Sequence, residues 1–147
     1  MRTSKQTGRV GEEAAGRYLE KKGFRVIASD YATSGGELDL VTYRRGALVF
    51  VEVKTRSGNA FGTPAEAVGD LKRRRLRAAA KGFWHEQQKY GRIPVWSRLR
   101  RNFVLRRVVS ARLDIAEVYL EDGIVTKINI IENAEDYAWL IKHERNM

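Results

Sequence analysis

The chain has 147 residues, enough for one domain with its own core, and its 43% hydrophobic content excludes an intrinsically disordered protein. It contains no cysteine, which excludes disulfides, thiol nucleophiles and zinc sites built on thiolates. Lys and Arg number 28 against 18 Asp and Glu, and a net charge of +10 on so small a domain points to a polyanionic partner, nucleic acid before membrane.

The N-terminus has a basic start with no apolar run behind it, so no signal peptide is expected. No apolar stretch approaches the roughly 20 residues that span a bilayer, and the expected location is the cytoplasm. In chain order, residues 10 to 22 read as a helix, with Val10, Ala14, Ala15, Tyr18 and Leu19 at three- and four-residue steps and Gly23 as its stop. Three strands follow, "FRVIASDY", "ELDLVTYR" and "ALVFVEVKT", joined by turns at 34–36 and 44–46 in a meander. A second helix is expected from Pro64 to about Gln88, with Thr63 as N-cap and Glu66 completing a capping box. Residues 88 to 111 carry no clear period and read as a loop, a substrate clamp or a dimer contact. "RLDIAEVYL" and "IVTKINIIENA" form a hairpin through "EDG", and "EDYAWLIKHER" is a short terminal helix. With no internal repeat and no linker, residues 1–147 read as a single mixed α/β domain with helices packed on a central sheet.

The third strand raises a chemical question, because "LVFVEVKTR" carries Glu52 and Lys54 inside an apolar run. Strand residues two apart share a face, so Leu48, Phe50, Glu52 and Lys54 point one way and Val49, Val51 and Val53 the other. In the second strand Leu38 and Leu40 are expected on one face, with Glu37, Asp39 and Val41 opposite. If the two strands pair antiparallel, Asp39 comes close to Glu52. Two carboxylates on one sheet face repel and are costly to bury, and a divalent cation removes that cost. Mg²⁺ takes one or two carboxylates and completes its shell with water and phosphate. Asp39 and Glu52 are therefore candidate metal ligands, and Lys54 a candidate for orienting the attacking water in phosphodiester hydrolysis. Glu12, at the border of the first helix's apolar stripe, can reach over the sheet to the same place, although an acid favoured by the helix dipole explains it as well.

The segments "GEEAAGRYLEKKGFRV", "GGELDLV", "LVFVEVKTR" and "FGTPAEAV", followed by a basic helix, closely resemble the YraN-like uncharacterised proteins. That family is similar to the restriction-endonuclease-like nucleases, including archaeal Holliday-junction resolvases. The resemblance is strong over residues 8 to 83 and weaker at "RLDIAEVY" and "NAEDY". It implies an α/β fold with a mixed β-sheet flanked by helices and an α-β-β-β-α-β core. It also implies that Asp39, Glu52 and Lys54 are the nuclease motif, with Glu12 the acid that resolvase-like members carry on the first helix. Leu38 stands where the superfamily often has proline. Mg²⁺ or Mn²⁺ is the implied cofactor, DNA the implied substrate, and a homodimer the implied assembly, since resolvase-like relatives work as dimers.

Two basic clusters would supply the nucleic-acid contacts. "KRRRLR" at 72–77 has five basic residues of six, and "RLRRNFVLRR" at 98–107 has five arginines in ten. The expected phosphate contacts are Arg56, Lys72, Arg73, Arg74, Arg75, Arg77, Arg98, Arg100 and Arg101, none reading sequence. Lys72 falls within the apolar stripe formed by Val68, Leu76, Ala79 and Phe83, so it should snorkel or reach a phosphate. Trp84, Trp96 and Trp139 suit core or interface packing better than base stacking, and His85 and His143 have no assigned role. The leading reading is a metal-dependent endonuclease acting on DNA, with branched or structured DNA as one candidate substrate. Its alternatives are a nucleic-acid-binding protein of the same fold with little or no cleavage, and a purely structural acid–lysine network.

Overall fold

A computed structural model describes residues 4–57 and 69–145. The elements are α1 (Ser4–Lys21), β1 (Arg25–Thr33), β2 (Gly36–Arg44), β3 (Ala47–Ser57), α2 (Asp70–Gln87), β4 (Arg92–Ser97), β5 (Asn102–Arg107), β6 (Ser110–Glu121), β7 (Ile124–Asp136) and α3 (Ala138–Arg145). Five strands form one sheet in the order β1-β2-β3-β6-β7, and β4 and β5 pair separately. β1, β2 and β3 are the expected antiparallel meander. β6 runs parallel to β3, so the chain must cross over between them, and α2 lies on that crossover. The result is the expected mixed sheet flanked by helices, compatible with a restriction-endonuclease-like fold.

β3 is the central strand, paired on both edges and covered on both faces. That explains its unbroken apolar run, since residues 48–52 are all buried. On one face α1 packs Ala15 and Leu19 against Leu40, Val49, Val51, Ala116 and Val118. On the other, α2 and α3 pack Leu76, Phe83 and Leu140 against Leu48, Phe50 and Leu113. Phe83 meets Phe50 and Tyr31 edge-on, with centroids 5.8 and 5.1 Å apart. Each large side chain buried this way contributes about 1.5–3 kcal/mol. α1 ends as its sequence dictates. Gly23 takes φ 94°, and the Phe24 N–H donates to the Leu19 carbonyl at 3.0 Å.

Three differences from the sequence expectation affect the site. The described part of α2 starts at Asp70 behind an extended Gly69 without a side-chain cap, and the expected cap at Thr63, Pro64 and Glu66 lies outside the described residues. Residues 92–107 are a two-stranded hairpin, β4–β5, in register from Arg92↔Arg107 to Ser97↔Asn102. Leu38 and Leu40 do not share a face. Leu38 and Val41 pack on the α2 side, whereas Leu40 packs on the α1 side. Strict alternation therefore breaks around Asp39. The neighbouring β1 is irregular too, with a register shift between Val26 and Ala28 and a left-handed Asp30 at φ 48°.

Candidate metal centre on the sheet

The strand registers align three carboxylates across three strands. Asp30 lies between Ser29, which pairs with Leu40, and Tyr31, which pairs with Leu38, so it stands opposite Asp39. Asp39 and Glu52 are the next positions beyond the Leu40↔Val51 pair. The row is thus Asp30, Asp39, Glu52. Asp39 also takes over the ladder's work there, because its Oδ2 accepts the Val53 N–H at 2.8 Å.

Glu12 joins from α1. Gly11 makes this possible, since a Cβ on it would sit 1.9 Å from Thr55 Oγ1, so only glycine lets the helix lie this close to β3. One carboxylate oxygen each from Glu12, Asp30 and Asp39 falls within 4.8 Å of the others. Glu13, the next residue, is exposed. Burial holds the Glu12 carboxyl up at about 8, helped by its hydrogen bond with Asp30 and by the charge of Asp39.

Glu52 sits on the other side of Asp39 and is only 4% exposed. Its Oε1 is 3.2 Å from the Lys72 Nζ, while its Oε2 has no hydrogen-bond partner among the described residues. Burial pushes its carboxyl up to about 7, Asp39 adds to the rise, and Lys72 and Lys54 pull the other way. A buried carboxylate oxygen without a donor is costly. Lys54 stands next along the same strand face and is paired in register with Glu117 of β6. Glu117 is itself buried, held by the Asn129 amide at 2.9 Å, with the Arg56 Nε 3.7 Å from its Oε2.

Asp39 therefore links two groups: Glu12 and Asp30, whose carboxylate oxygens lie within 4.8 Å of its own, and Glu52, which lies outside that group of three and meets Asp39, Lys54 and Lys72. Two residues of the neighbourhood escaped sequence reasoning. Asp30 was hidden because only its left-handed backbone, a conformation Asp tolerates, turns it into the row. Glu117 lies in the strand that pairs parallel with β3, a pairing between distant segments that no local pattern announces. The basic residues divide. Arg56 has a side chain only 13% exposed and lies beside Glu117. Arg77 grips Glu135 with two nitrogens, so its guanidinium is already committed within the fold. Arg73, Arg74, Arg75, Arg98, Arg100 and Arg101 are exposed. Trp84 is in the core, whereas Trp96 is 47% exposed.

Residues 11–118 match the family described as "Uncharacterised protein family UPF0102". The chain belongs to that family. It is 37% identical over 131 residues to a UPF0102 protein of Alkaliphilus metalliredigens, covering 89% of this chain and 98% of the relative. It is 48% identical over 77 residues to one of Symbiobacterium thermophilum, covering 52% of this chain and 65% of the relative. A Solibacter usitatus member is 51% identical over 78 residues, covering 52% and 59%. The UPF0102 match takes in Glu12, Asp30, Asp39, Glu52, Lys54 and Lys72. Among the described residues no helix is long and apolar enough to cross a membrane.

Proposed function

We propose that this UPF0102 protein is a metal-dependent endonuclease hydrolysing phosphodiester bonds of DNA, with branched or structured DNA as its substrate. The observation that carries this reading is the row Asp30–Asp39–Glu52, joined by Glu12 at Asp30 and Asp39, in which Glu52 keeps a buried oxygen without a donor among the described residues. That donor set suits a hard divalent cation, all oxygen and partly dehydrated. Asp39 and Glu52 would hold Mg²⁺ or Mn²⁺, and Glu12 and Asp30 would complete the acidic wall. When bound, such an ion neutralises phosphate charge and lowers the pKa of coordinated water.

The protein's own residues do the rest. Asp39 is fixed by the Val53 N–H, so its second oxygen keeps a constant aim. Lys54 points from the same strand face as Glu52 and would hold the attacking water, whose oxygen bonds to phosphorus as the bond to the leaving oxygen breaks. Its ammonium also offsets the charge on the phosphoryl oxygens. The exposed arginines of α2 and of the β4–β5 hairpin would bind phosphates without reading bases. A homodimer would suit a branched substrate with two symmetry-related strands, and the cytoplasm is the proposed location.

A second reading has one specific observation in its favour. Lys72 already neutralises Glu52 at 3.2 Å, which a binding module of nuclease fold could use in place of a metal. Incubation with duplex, single-stranded and four-way DNA, with and without Mg²⁺ or Mn²⁺, separates the two. Metal-dependent cutting by the wild type, lost in Asp39→Asn and Lys54→Ala, supports the nuclease. Salt-sensitive binding without cutting supports the module.

A further inference from the structure

The β4–β5 hairpin lies at the opposite end of β2 from the acid row. Its inner face builds a cleft of about 370 Å³ against the β2–β3 turn. Arg25, Arg44, Arg45, Arg98 and Arg106 line it, and among the described residues no carboxylate does. Arg98 approaches Glu20 only at 3.9 Å with its side chain 75% exposed. Arg44 lies over the Phe24 ring at 5.4 Å. Five guanidinium groups around one hollow repel one another unless an anion enters.

The outer face of the hairpin is apolar beyond the exposed Arg92–Arg107 pair at its base. Pro94, Trp96, Phe103 and Leu105 share it by strand alternation, Trp96 and Phe103 are register partners with ring centroids 5.2 Å apart, and Trp96 and the tip residue Leu99 also border the arginine cleft, so rings and guanidinium groups meet at its rim. Phe103 is 64% exposed, and Leu99 at the tip is 94% exposed. Of the ten large hydrophobic residues exposed among the described residues, six lie between Tyr90 and Val109, so the patch is local to this arm. Charge decides what covers it. From Gln87 to Leu113 there are eight Lys or Arg and no Asp or Glu. A symmetric dimer through this face would bring arginines against arginines. A strand of nucleic acid matches both halves, with phosphates for the cleft and base faces for the exposed rings.

We infer that the β4–β5 hairpin is a clamp for an unpaired nucleic-acid strand. Its arginine cleft holds the backbone while Trp96 and Phe103 stack on bases and Leu99 sits at the point where the strands part. The inference deepens the nuclease reading, on which it rests for the substrate class. Arg44 is about 17 Å along β2 from Asp39 at about 3.4 Å per residue. A helical strand covers that distance in about five nucleotides. The clamp would thus place the acid row at a fixed offset from the junction between paired and unpaired DNA.

The test is equilibrium binding without divalent metal, in an Asp39→Asn background, so cleavage plays no part in the result. The probes are a blunt duplex and the same duplex with a ten-nucleotide unpaired arm. The expected result is at least about tenfold tighter binding of the armed duplex. Trp96→Ala/Phe103→Ala should abolish that preference while leaving blunt-duplex binding unchanged. Arg45→Ala/Arg106→Ala should weaken binding of the armed duplex and reduce its salt slope by about two, with a smaller effect on the blunt duplex. Both pairs are surface changes, and unchanged melting temperatures would verify folding. Equal affinity for the two probes in the parent, or an undiminished preference in the aromatic double variant, overturns the clamp. So does a shift from dimer to monomer on removing the rings, which would assign the face to a second copy. Failure of the nuclease reading appears separately, as absence of metal-dependent cutting in the wild type.

Discussion

Asp39 Oδ2 accepts the Val53 N–H at 2.8 Å, just beyond the last paired residues of β2 and β3. One carboxylate oxygen thus closes the sheet between Glu52 and Lys54, while the same carboxylate lies within 4.8 Å of Glu12 and Asp30. The two roles separate by substitution. Asp39→Asn retains an oxygen for Val53, so its stability in chelator should match or exceed wild type once the charge repulsion is gone. Asp39→Ala strands that N–H and should lose about 1–3 kcal/mol in urea denaturation. Both should abolish cleavage.

The acid row makes stability depend on pH in a defined direction. The folded carboxyls of Glu12 and Glu52 titrate at about 8 and about 7, above their ordinary value of 4.5. Between those limits the folded chain holds protons that the unfolded chain has released, so stability in EDTA should fall as pH rises from about 4.5 to about 8 and then level off. Glu12→Gln should flatten the upper part of that slope. Mg²⁺ or Mn²⁺ should flatten it as well and release protons on binding near pH 7, which calorimetry in buffers of different ionisation enthalpy measures.

Lys72 and Lys54 should behave differently although both lie near Glu52. Lys72→Ala leaves the buried Glu52 without its ion-pair partner and should cost about 1–2 kcal/mol in EDTA, moderated because the lysine side chain is 45% exposed. Saturating Mn²⁺ should recover most of that loss. Lys54→Ala should change stability less and eliminate cutting. Chemical denaturation with and without metal reads both effects.

The approach of α1 to β3 rests on Gly11. Gly11→Ala would place a Cβ 1.9 Å from Thr55 Oγ1, and the helix must move away. The expected cost is about 1–3 kcal/mol with a loss of metal affinity, because Glu12 moves with the helix. Thr55→Ala in the same chain should recover part of both, as seen by thermal melting and metal titration.

The meander and the final hairpin were legible because their turns carry the residues that left-handed backbone needs, Arg45–Gly46 and Asp122–Gly123, between alternating segments. The β4–β5 hairpin was not legible, since its tip uses Arg101 at φ 52° with no glycine to mark it. Of the site, Glu52 and Lys54 could be placed on one face from strand period, and Asp39 beside Glu52 only on the further condition that β2 and β3 pair antiparallel. The expected shared face for Leu38 and Leu40 failed because strand period assumes a regular ladder, and the backbone departs from one beside Asp30 and Asp39. That departure is what adds Asp30 to the row. Lys72 was noticed as a lysine in an apolar stripe, but its partner Glu52 became visible only when α2 was laid on the sheet.

Single-turnover cleavage of four-way DNA with Mn²⁺ at pH 8, wild type against Asp39→Asn at matched occupancy of the DNA, tests the central claim most directly. The expected result is cutting by the wild type that EDTA stops, and a rate at least about 100-fold lower in Asp39→Asn with binding intact. Equal rates in the two proteins, or no cutting by a wild type that demonstrably binds both Mn²⁺ and the junction, would contradict it.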